Sequence, residues 1–469
     1  MNDSMAVQEE PQIDLTKFNL TDLGNAERLI MRYGEDLRYC ATWKKWLRWD
    51  SRRWKIDHTG EVHALSCDTV REMLALGADL TKSVDQTTKN DGLSLVHFAI
   101  KSEAKSKITA MVDSAKTMRG TAITHDVLDQ DRWMLNVRNG MINLKNGRLL
   151  PHDRAHLLTK TSLVDFIPGA TCPTFDGFLS SITGGNTALA DYIQRVFGYA
   201  LTGNTDEQCF FFLHGNGANG KSTLMRVLFC LLGEYATAAA PGLLASNADD
   251  KHPTAIADLV GARVVIAPET NQGKGMSEVV LKQITGGDKM KARRMNEDFW
   301  DFDVVAKLFI TGNHKPNIRG TDDGIWRRVK LIPFEIKIPN DKIDHNLSIK
   351  LHMELPGILN WALRGCLGWQ RLGSLAEPLE VTKAIDEYRE DEDSFGRFLA
   401  DCCNLGSDRK VTSAEFSKSY LAWCTEEGEK YPLTSKIYGA ELRKRGCTSR
   451  KLNHKRHWFG VDTKSGSEE

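Results

Sequence analysis

The segment His214-Gly-Asn-Gly-Ala-Asn-Gly-Lys-Ser-Thr223 constrains the fold of this chain more than any other. Its order is G-x-x-x-x-G-K-[ST], in which glycines let backbone N–H groups surround a phosphate chain, the lysine reaches the β- and γ-phosphates, and the hydroxyl binds Mg²⁺. An apolar run precedes the loop, and leucines at helical spacing follow it, which predicts a strand, a turn and a helix whose N-terminus faces the phosphates. The residues expected to contact a nucleoside triphosphate are Gly215, Asn216, Gly217, Ala218, Asn219, Gly220, Lys221, Ser222 and Thr223.

Composition sets wider limits on the class of protein. At 469 residues the chain is expected to contain several domains, and its 62 basic residues balance 62 acidic ones, so contact with nucleic acid requires a local patch. The ten cysteines form no C-x-x-C pair and are interpreted as buried thiols in a reducing compartment. No apolar run is long enough to span a membrane, and the polar N-terminus is unlike a signal peptide. We expect a cytoplasmic protein with no membrane contact.

Changes in pattern along the chain predict an α/β protein of five parts. They are a flexible leader (1–20), a mixed α/β N-terminal domain (21–168), a helical collar or linker (169–206), a nucleotide-binding domain with a parallel sheet (207–375), and a C-terminal unit (376–469). An acidic stretch, 386–393, is interpreted as a hinge.

The N-terminal part has four tryptophans among six basic residues between positions 43 and 55. Aromatic rings interleaved with cations can stack bases and hold phosphates. The alternative is a strand pair that packs its tryptophans in its own core and leaves the cations in solvent. The second reading is favoured, because nothing else in this part resembles a nucleic-acid module.

Three further segments after the glycine-rich loop carry candidate catalytic residues. Glu269 follows the apolar run 263–267 and could orient Mg²⁺ or polarise the attacking water, although strands often end in a charged residue. Asn313 follows a strand and could contact the γ-phosphate, unless it only forms a turn. Arg327 and Arg328 precede another strand and are either surface charges or an arginine finger supplied to a neighbouring subunit.

The order of these motifs resembles that of superfamily 3 helicases, and most closely the phage/plasmid primase-helicase family that includes the poxvirus primase-helicases. The segments that carry the resemblance are 215–223, 267–270, 281–288 with 292–294, 311–316, 325–328 and 332–334, with 20–27, 135–140 and 150–153 upstream. It extends from about residue 20 to residue 461. The resemblance implies an AAA+ P-loop ATPase core that assembles into a ring, expected to be a hexamer.

The resemblance also implies a role for each matching residue. Lys221 and Ser222 would hold phosphate and Mg²⁺, Glu269 would be the Walker B acid and a metal ligand, and Asn313 would be sensor 1. Arg327 or Arg328 would reach the ATP of a neighbouring subunit. The segment 288–302 matches a pore hairpin that would present Lys289, Lys291, Arg293 and Arg294 to DNA, whereas the residues alone would indicate an exposed basic strand. Thr270 and Asn271 follow Glu269, so the second acid of some relatives is absent and Glu269 alone would have to serve both roles.

The C-terminal part has three helix-like segments and a basic end, a pattern typical of a winged helix. Its cations Arg450, Lys451, Lys455 and Arg456 are predicted to bind DNA phosphates, with a solvated basic surface as the alternative.

The predicted activity is ATP-dependent unwinding, with 3′–5′ polarity, of single-stranded or forked DNA during replication of a phage, prophage or plasmid in a bacterial or phage-infected cytoplasm. Only about 165 residues precede the collar and they show no metal-carboxylate constellation, so we expect no primase domain and a separate primase as a partner. The alternatives are an ATP-assembled DNA-binding initiator or remodelling factor with little unwinding, and a small-molecule P-loop kinase.

Overall fold

The computed structural model describes residues 15–244, 253–268, 276–294, 298–315, 318, 323–429 and 432–464. Among these residues there are a mixed four-stranded sheet, a parallel five-stranded sheet and smaller antiparallel sheets. Helices pack around them. None of the helices in the described ranges is long and apolar enough to cross a membrane. All ten cysteines are free thiols and most are buried, as the sequence predicted.

The N-terminal region combines a helical layer with two small sheets. Its elements are α1 (Asp22–Tyr33), β1 (Leu37–Cys40), β2 (Lys45–Trp49), β3 (Trp54–Ile56), α2 (Glu61–Leu80), α3 (Gln86–Ser102), α4 (Lys105–Ala115), β4 (Ala122–Ile123), β5 (Met134–Val137), β6 (Gly140–Asn143) and β7 (Arg148–Leu150). The first sheet has the order β3-β2-β1-β4, with β4 parallel to β1, and the second is the antiparallel meander β5-β6-β7.

The tryptophans of the N-terminal sheet are packed largely as core residues. Trp46 and Trp54 are buried, and Trp49 packs against Trp54 with ring centroids 5.9 Å apart. The preferred reading of this basic, aromatic segment is therefore confirmed for these side chains. Part of the expected leader is also ordered, because the buried Arg28 donates hydrogen bonds to the carbonyl oxygens of Leu15, Phe18 and Asn19.

A five-stranded parallel sheet forms the centre of the chain. The collar helices α5 (Pro173–Ile182) and α6 (Thr187–Leu201) precede it. Its elements are β8 (Phe210–His214), α7 (Lys221–Leu232), β9 (Ala236–Ala238), α8 (Pro253–Ala257), β10 (Val264–Ala267), α9 (Glu278–Gly286), the hairpin strands β11 (Lys289–Ala292) and β12 (Trp300–Asp303), β13 (Lys307–Gly312), α10 (Asp323–Trp326) and β14 (Val329–Pro333). The order of the sheet is β14-β8-β13-β10-β9, with every neighbouring pair parallel.

Two buried cations join the central sheet to the collar helix α6. They lie at the amino edge of the sheet, and the glycine-rich loop lies at its carboxyl edge. Arg263 precedes β10 and donates to the carbonyl oxygen of Leu201, and Lys307 begins β13 and donates to that of Thr202. These carbonyls lie at the C-terminus of α6, where the helix dipole favours positive charge. Burial lowers the pKa of Lys307.

Three helices follow the sheet: α11 (Leu347–Met353), α12 (Leu355–Leu372) and α13 (Leu379–Glu392). Helix α12 packs closely on α6, and α13 packs on β14 with Val381 and Tyr388 buried. The chain from 376 to 392 was expected to belong to the C-terminal unit, but it packs on the central sheet instead. The acidic stretch is also not an irregular hinge over most of its length, because 386–392 continue α13.

The C-terminal unit is a small α+β arrangement with its own core. Its elements are α14 (Ser394–Cys402), β15 (Cys403–Thr412), α15 (Ser413–Glu426), α16 (Ser435–Lys444), β16 (Thr448–Leu452) and β17 (Lys455–Thr463). The strands form the antiparallel sheet β15-β17-β16. Asn453 and His454 both have positive φ, so β16 and β17 are joined by a tight two-residue turn.

Glycines set the distance between α6 and α12. A Cβ on Gly198 would lie 2.0 Å from the backbone N of Cys366, and one on Gly365 would lie 2.0 Å from the carbonyl oxygen of Gln194. We predict that Gly198→Ala lowers the free energy of unfolding by about 1–3 kcal/mol, because the helices must separate. Thermal or urea unfolding of the purified chain measures this change in the free energy of unfolding.

The matched control is Gly368→Ala on α12, where an added Cβ meets no atom within 4 Å. It should raise the free energy of unfolding by up to about 1 kcal/mol through helix propensity. Equal effects of the two substitutions would show that the α6–α12 distance is not set by Gly198.

Candidate functional site

The glycine-rich loop connects β8 to α7 at the carboxyl edge of the central sheet. Gly217, Ala218 and Gly220 all have positive φ, which curls the backbone between the strand and the helix. A Cβ on Gly215 would lie 2.1 Å from the carbonyl oxygen of Phe334, so only glycine fits where the loop passes the end of β14. The predicted strand, loop and helix are therefore present, with the helix N-terminus at the loop.

Lys221 is buried, and its ammonium group is held inside this loop. Its Nζ donates hydrogen bonds to the carbonyl oxygen of Gly215, to Oδ1 of Asn219 at 3.0 Å and to Oδ1 of Asn313 at 3.3 Å. Asn219 is fixed in turn by a hydrogen bond from its Nδ2 to the carbonyl oxygen of Phe334 at 3.0 Å. These three acceptors are uncharged oxygens, and a phosphate oxygen would form a stronger, charge-assisted hydrogen bond with the ammonium group.

Asn313 reaches the loop because β13 lies beside β8 in parallel register. Gly312 pairs with His214, so the next residue of each strand leaves the sheet at the same level. Oδ1 of Asn313 accepts from the backbone N of Gly217 and from Nζ of Lys221, both at 3.3 Å. Residues about a hundred positions apart in the sequence therefore contact each other in one polar cluster.

An open cleft of about 400 Å³ lies over this cluster, lined by 217–223 and 311–313. Ser222 and Thr223, in the first turn of α7, are among its lining residues. A helix N-terminus and a lysine together favour an anion. His214 adds no charge of its own near neutral pH, because burial and the neighbouring Lys315 and Lys221 lower its pKa.

One candidate protein ligand for a divalent cation lies in this cleft. Among the described residues no group of three or more His, Cys, Asp or Glu side chains could ligate a metal. Mg²⁺ usually binds one or two protein oxygens together with substrate phosphates, and the hydroxyl of Ser222 in the cleft fits that requirement. Glu269, the expected second ligand, lies outside the described residues; β10 ends two positions earlier at Ala267, in register with Ile310 of β13.

The two candidate finger arginines have different surroundings. Arg328 is half-buried, and its guanidinium donates to Oγ1 of Thr285 at 3.2 Å and to the carbonyl oxygen of Gly324. Arg327 is exposed. Both are described residues, and neither lines the cleft of its own chain. Arg327 is therefore the one whose side chain is available to another molecule.

The candidate DNA hairpin, β11–β12, presents a mixed charge. Lys289 pairs with Asp303 and Lys291 with Asp301 across the strands, and all four are exposed while their neighbours along the strands are buried. These two lysines therefore have carboxylates opposite them on the same face. Two further cations, Arg293 and Arg294, are exposed after β11, and the Arg293 guanidinium lies 4.7 Å from the centroid of the exposed Phe299 ring.

The hairpin is docked on the N-terminal region through an aromatic cluster that the sequence did not indicate. Trp300 packs edge-on against Trp43 and His125, with ring centroids 6.1 and 5.0 Å apart. Nε2 of His125 donates to the carbonyl oxygen of Asp301 at 2.7 Å.

The segment after Asn313 is held by the end of α13, another contact that sequence patterns missed. Nζ of Lys315 lies 2.8 Å from Oδ2 of Asp391, and the backbone N of Ile318 donates to Oε2 of Glu392 at 3.1 Å. Burial raises the pKa of Glu392 to about 7, and Glu429 and Asp391 also raise it, while the hydrogen bond from Ile318 and the charge of Lys315 lower it. The acidic run suggested only a solvated stretch, yet two of its carboxyls bind the segment next to the candidate sensor.

The predicted C-terminal cations lie together on the β16–β17 hairpin. Arg450, Lys451, Lys455 and Arg456 are all exposed, and among the described residues none of them has an ion-pair partner. Lys451 pairs directly with Arg456 across the strands. Like charges in that position oppose strand pairing, so an anionic partner would relieve the repulsion. The neighbouring Lys444 and Arg445 are instead paired with Glu441.

Two family models match separate segments of the chain. A family model described as "D5 N terminal like" matches residues 26–184, and one described as a family of unknown function (DUF5906) matches residues 213–328. A protein named "Putative helicase L207/L206" of Acanthamoeba polyphaga mimivirus is 29% identical over 298 residues, which are 58% of this chain and 31% of that protein.

Two further relatives come from other large DNA viruses. "Putative helicase 121R" of Invertebrate iridescent virus 3 is 24% identical over 45% of this chain and 24% of its own length. "Putative primase C962R" of African swine fever virus (isolate Warthog/Namibia/Wart80/1980) is 24% identical over 47% of this chain and 24% of its own. The chain thus spans less than a third of the length of these relatives.

One solved structure is similar over nearly the whole chain. The apo form of the NrS-1 C-terminal region aligns with a TM-score of 0.50 at 10% identity, covering 93% of this chain and 99% of that one. At this identity the likeness concerns the fold alone.

Burial of the Glu392 carboxyl generates a pH-dependent prediction. The carboxyl has a pKa near 4.5 when exposed and about 7 in the fold, so between these pH values the native state binds more protons than the unfolded state. Stability from this group is therefore full below about pH 4.5 and lost as the pH rises towards 7. Glu392→Gln keeps the neutral form, so its melting temperature should fall a few degrees less than that of the wild type between pH 5 and pH 8.

Glu390→Gln, an exposed substitution on the same helix with the same change in charge, is the control and should follow the wild type. Parallel pH profiles for the wild type and Glu392→Gln would contradict the buried placement of the Glu392 carboxyl.

Proposed function

We propose that this chain, a member of the D5-like primase-helicase family, is an ATP-driven DNA helicase whose nucleotide binds in the cleft after β8. The observation that carries the proposal is the meeting of Lys221, Asn313 and the backbone N of Gly217 at one point of that cleft. Such a cluster suits a γ-phosphate, because it joins a cation, an amide and a loop N–H where phosphate oxygens would lie. The names of the relatives support a role in replication.

Each site residue has a part in ATP hydrolysis. Lys221 contacts the β- and γ-phosphates in place of the Gly215 and Asn313 oxygens, which frees the Asn313 amide to contact the γ-phosphate or the attacking water. Ser222 contributes a hydroxyl to Mg²⁺, which neutralises charge on the phosphates. Glu269 polarises the attacking water.

The helicase forms a ring, expected to be a hexamer, in which each site is completed by a neighbour. Arg327 is the finger in this proposal, because Arg328 is engaged by Thr285 and Gly324 of its own chain. An arginine that reaches the γ-phosphate of the adjacent subunit stabilises the charge of the transition state.

DNA is contacted by two surfaces. Arg293 and Arg294, after β11, contact the strand that is translocated with 3′–5′ polarity. The C-terminal unit binds DNA through its exposed cations. Its order of three helices and a basic hairpin fits a winged helix. A small-molecule kinase would have no use for either surface.

Substitution of Lys221 and of the exposed Arg327, separately and in mixed samples, tests both ATP hydrolysis and subunit assembly. Lys221→Ala should abolish ATP turnover because the phosphates lose their charge partner. Arg327→Ala should retain nucleotide binding but lose turnover by about a thousandfold or more, the scale of removing an arginine finger. A mixture of the two variants should regain activity, since a mixed interface joins an intact loop to an intact finger.

The control for Arg327→Ala is Arg371→Ala, an exposed arginine at the end of α12, which should leave turnover unchanged. Absence of rescue at every ratio, in samples shown by mass photometry to exchange subunits, would refute a finger that acts between subunits.

The β16–β17 hairpin generates a second prediction. Replacing Arg450, Lys451, Lys455 and Arg456 with glutamine should weaken binding to duplex DNA and reduce the slope of log K against log salt by up to about four units, if each cation contacts one phosphate. ATP turnover without DNA should persist, because these residues are far in the chain from the nucleotide loop. Fluorescence anisotropy between 50 and ~300 mM salt measures the slope.

A variant with four other exposed cations replaced by glutamine is the matched control: Lys89, Lys101, Lys105 and Arg119. If both variants lose the same affinity, the effect reflects net charge and the hairpin is not a specific DNA contact.

A further inference from the structure

The C-terminal end of α13 contacts two elements that carry candidate catalytic residues. One is the segment after β13, in which Asn313 is followed by Lys315 and Ile318. The other is α10, whose last residue, Trp326, directly precedes Arg327. Of the residues that the structure describes, those that line the cleft after β8 include none from α13. Any effect of α13 on hydrolysis must therefore pass through these two elements.

The buried ring of Tyr388, on α13, is shared by both elements. It packs edge-on against Trp326, with ring centroids 5.1 Å apart. Nζ of Lys315 lies 5.4 Å from the centroid of the same ring. An ammonium group near the face of an aromatic ring is attracted by the ring quadrupole. One side chain of α13 therefore contacts the segments next to the candidate sensor and the candidate finger.

Two carboxyls in the last turn of α13 fix the segment after β13 more closely. Nζ of Lys315 lies 2.8 Å from Oδ2 of Asp391, and the backbone N of Ile318 donates to Oε2 of Glu392 at 3.1 Å. The Asp391 side chain is 66% exposed, so its ion pair contributes little to stability. The pair instead fixes a position, because it ties the chain two residues after Asn313 to a helix that packs on β14.

The end of α13 is itself held in place. Asp393, the residue after the helix, accepts a hydrogen bond from the backbone N of Gly396 at 2.8 Å and pairs with Nη2 of Arg445 at 2.9 Å. Val381, near the other end of α13, is buried. A helix that is fixed at both ends can hold the segments that it contacts in one geometry.

We propose that Asp391 and Tyr388 are positioning residues for ATP hydrolysis, which hold the segment after β13 and α10 so that Asn313 and Arg327 reach their nucleotides in the productive geometry. The inference rests on the proposed function, which gives Asn313 and Arg327 their roles. It adds that side chains outside the cleft set the rate at which bound ATP is hydrolysed. Displacement of a catalytic group by about 1 Å can cost about a hundredfold in rate. Nucleotide affinity depends chiefly on the phosphate loop and should change little.

Asp391→Asn is the diagnostic substitution, because it removes the charge that Lys315 contacts and keeps the size of the side chain. We expect kcat for ATP turnover to fall about tenfold while KM for ATP stays within about twofold of the wild-type value. Hydrogen–deuterium exchange gives a readout that needs no hydrolysis: the backbone amide of Ile318 should exchange about tenfold faster. The melting temperature should change by less than about 2 °C, because an exposed ion pair contributes little stability.

Asp386→Asn, at an exposed aspartate of the same helix, makes the same change in charge and should leave kcat and exchange at Ile318 unchanged. Lys315→Gln should reproduce Asp391→Asn, and the double variant should be no slower than either single variant, because both substitutions break one contact. Lys315→Arg retains the positive charge and should keep kcat near that of the wild type. Tyr388→Leu, which removes the ring, should lower kcat as well.

A wild-type kcat for Asp391→Asn, or equal losses of kcat in Asp391→Asn and Asp386→Asn, would overturn the inference. A fall in kcat that is accompanied by a large fall in melting temperature would do the same, because the role of Asp391 would then be structural. The two proposals fail in different ways. Absence of ATP turnover by the wild type would refute the proposed function and the inference together, whereas failure of the inference alone leaves wild-type turnover intact.

Discussion

The parallel pairing of β8 with β13 determines where every other part of the candidate site lies. It brings Asn313 onto the loop that holds Lys221, so that a cation, an amide and a backbone N–H converge on one point of the cleft. Parallel strands with loops at their carboxyl ends provide such a meeting point, because neighbouring strands leave the sheet at the same edge. A shift of one residue in this register would turn the Asn313 side chain away from Lys221.

One set of contacts leads from this point to the C-terminal surface proposed to bind DNA, and another fixes the proposed DNA hairpin to the N-terminal region. Helix α13 contacts the segment after Asn313 through Asp391 and Glu392, and it continues into the C-terminal unit at α14, where Asp393 pairs with Arg445. On the other side, the β11–β12 hairpin is docked on the N-terminal region by Trp300. Under the proposed function, movement of the C-terminal unit on DNA would reach the segment after Asn313 through the contacts of α13.

Local patterns predicted the strand, loop and helix of the candidate site, because the glycines and Lys221 are constrained within one short segment. They also predicted the tryptophan core of β2 and β3 and a basic hairpin at the C-terminus. They could not predict contacts that depend on tertiary packing, such as Glu392 with Ile318 or Arg328 with Thr285. The acidic run of α13 looked like a solvated hinge for the same reason: its buried side faces β14, and no spacing in the sequence identifies that partner.

Strand displacement tests the central claim most directly. Forked duplexes with a labelled strand and either a 3′ or a 5′ loading tail are incubated with the purified chain and ATP, with Lys221→Ala as the control for the nucleotide site. We expect ATP-dependent displacement on the 3′-tailed fork and none by Lys221→Ala on either fork. ATP turnover that DNA stimulates, without displacement from either fork, would contradict the helicase assignment and favour an ATP-assembled initiator or remodelling factor.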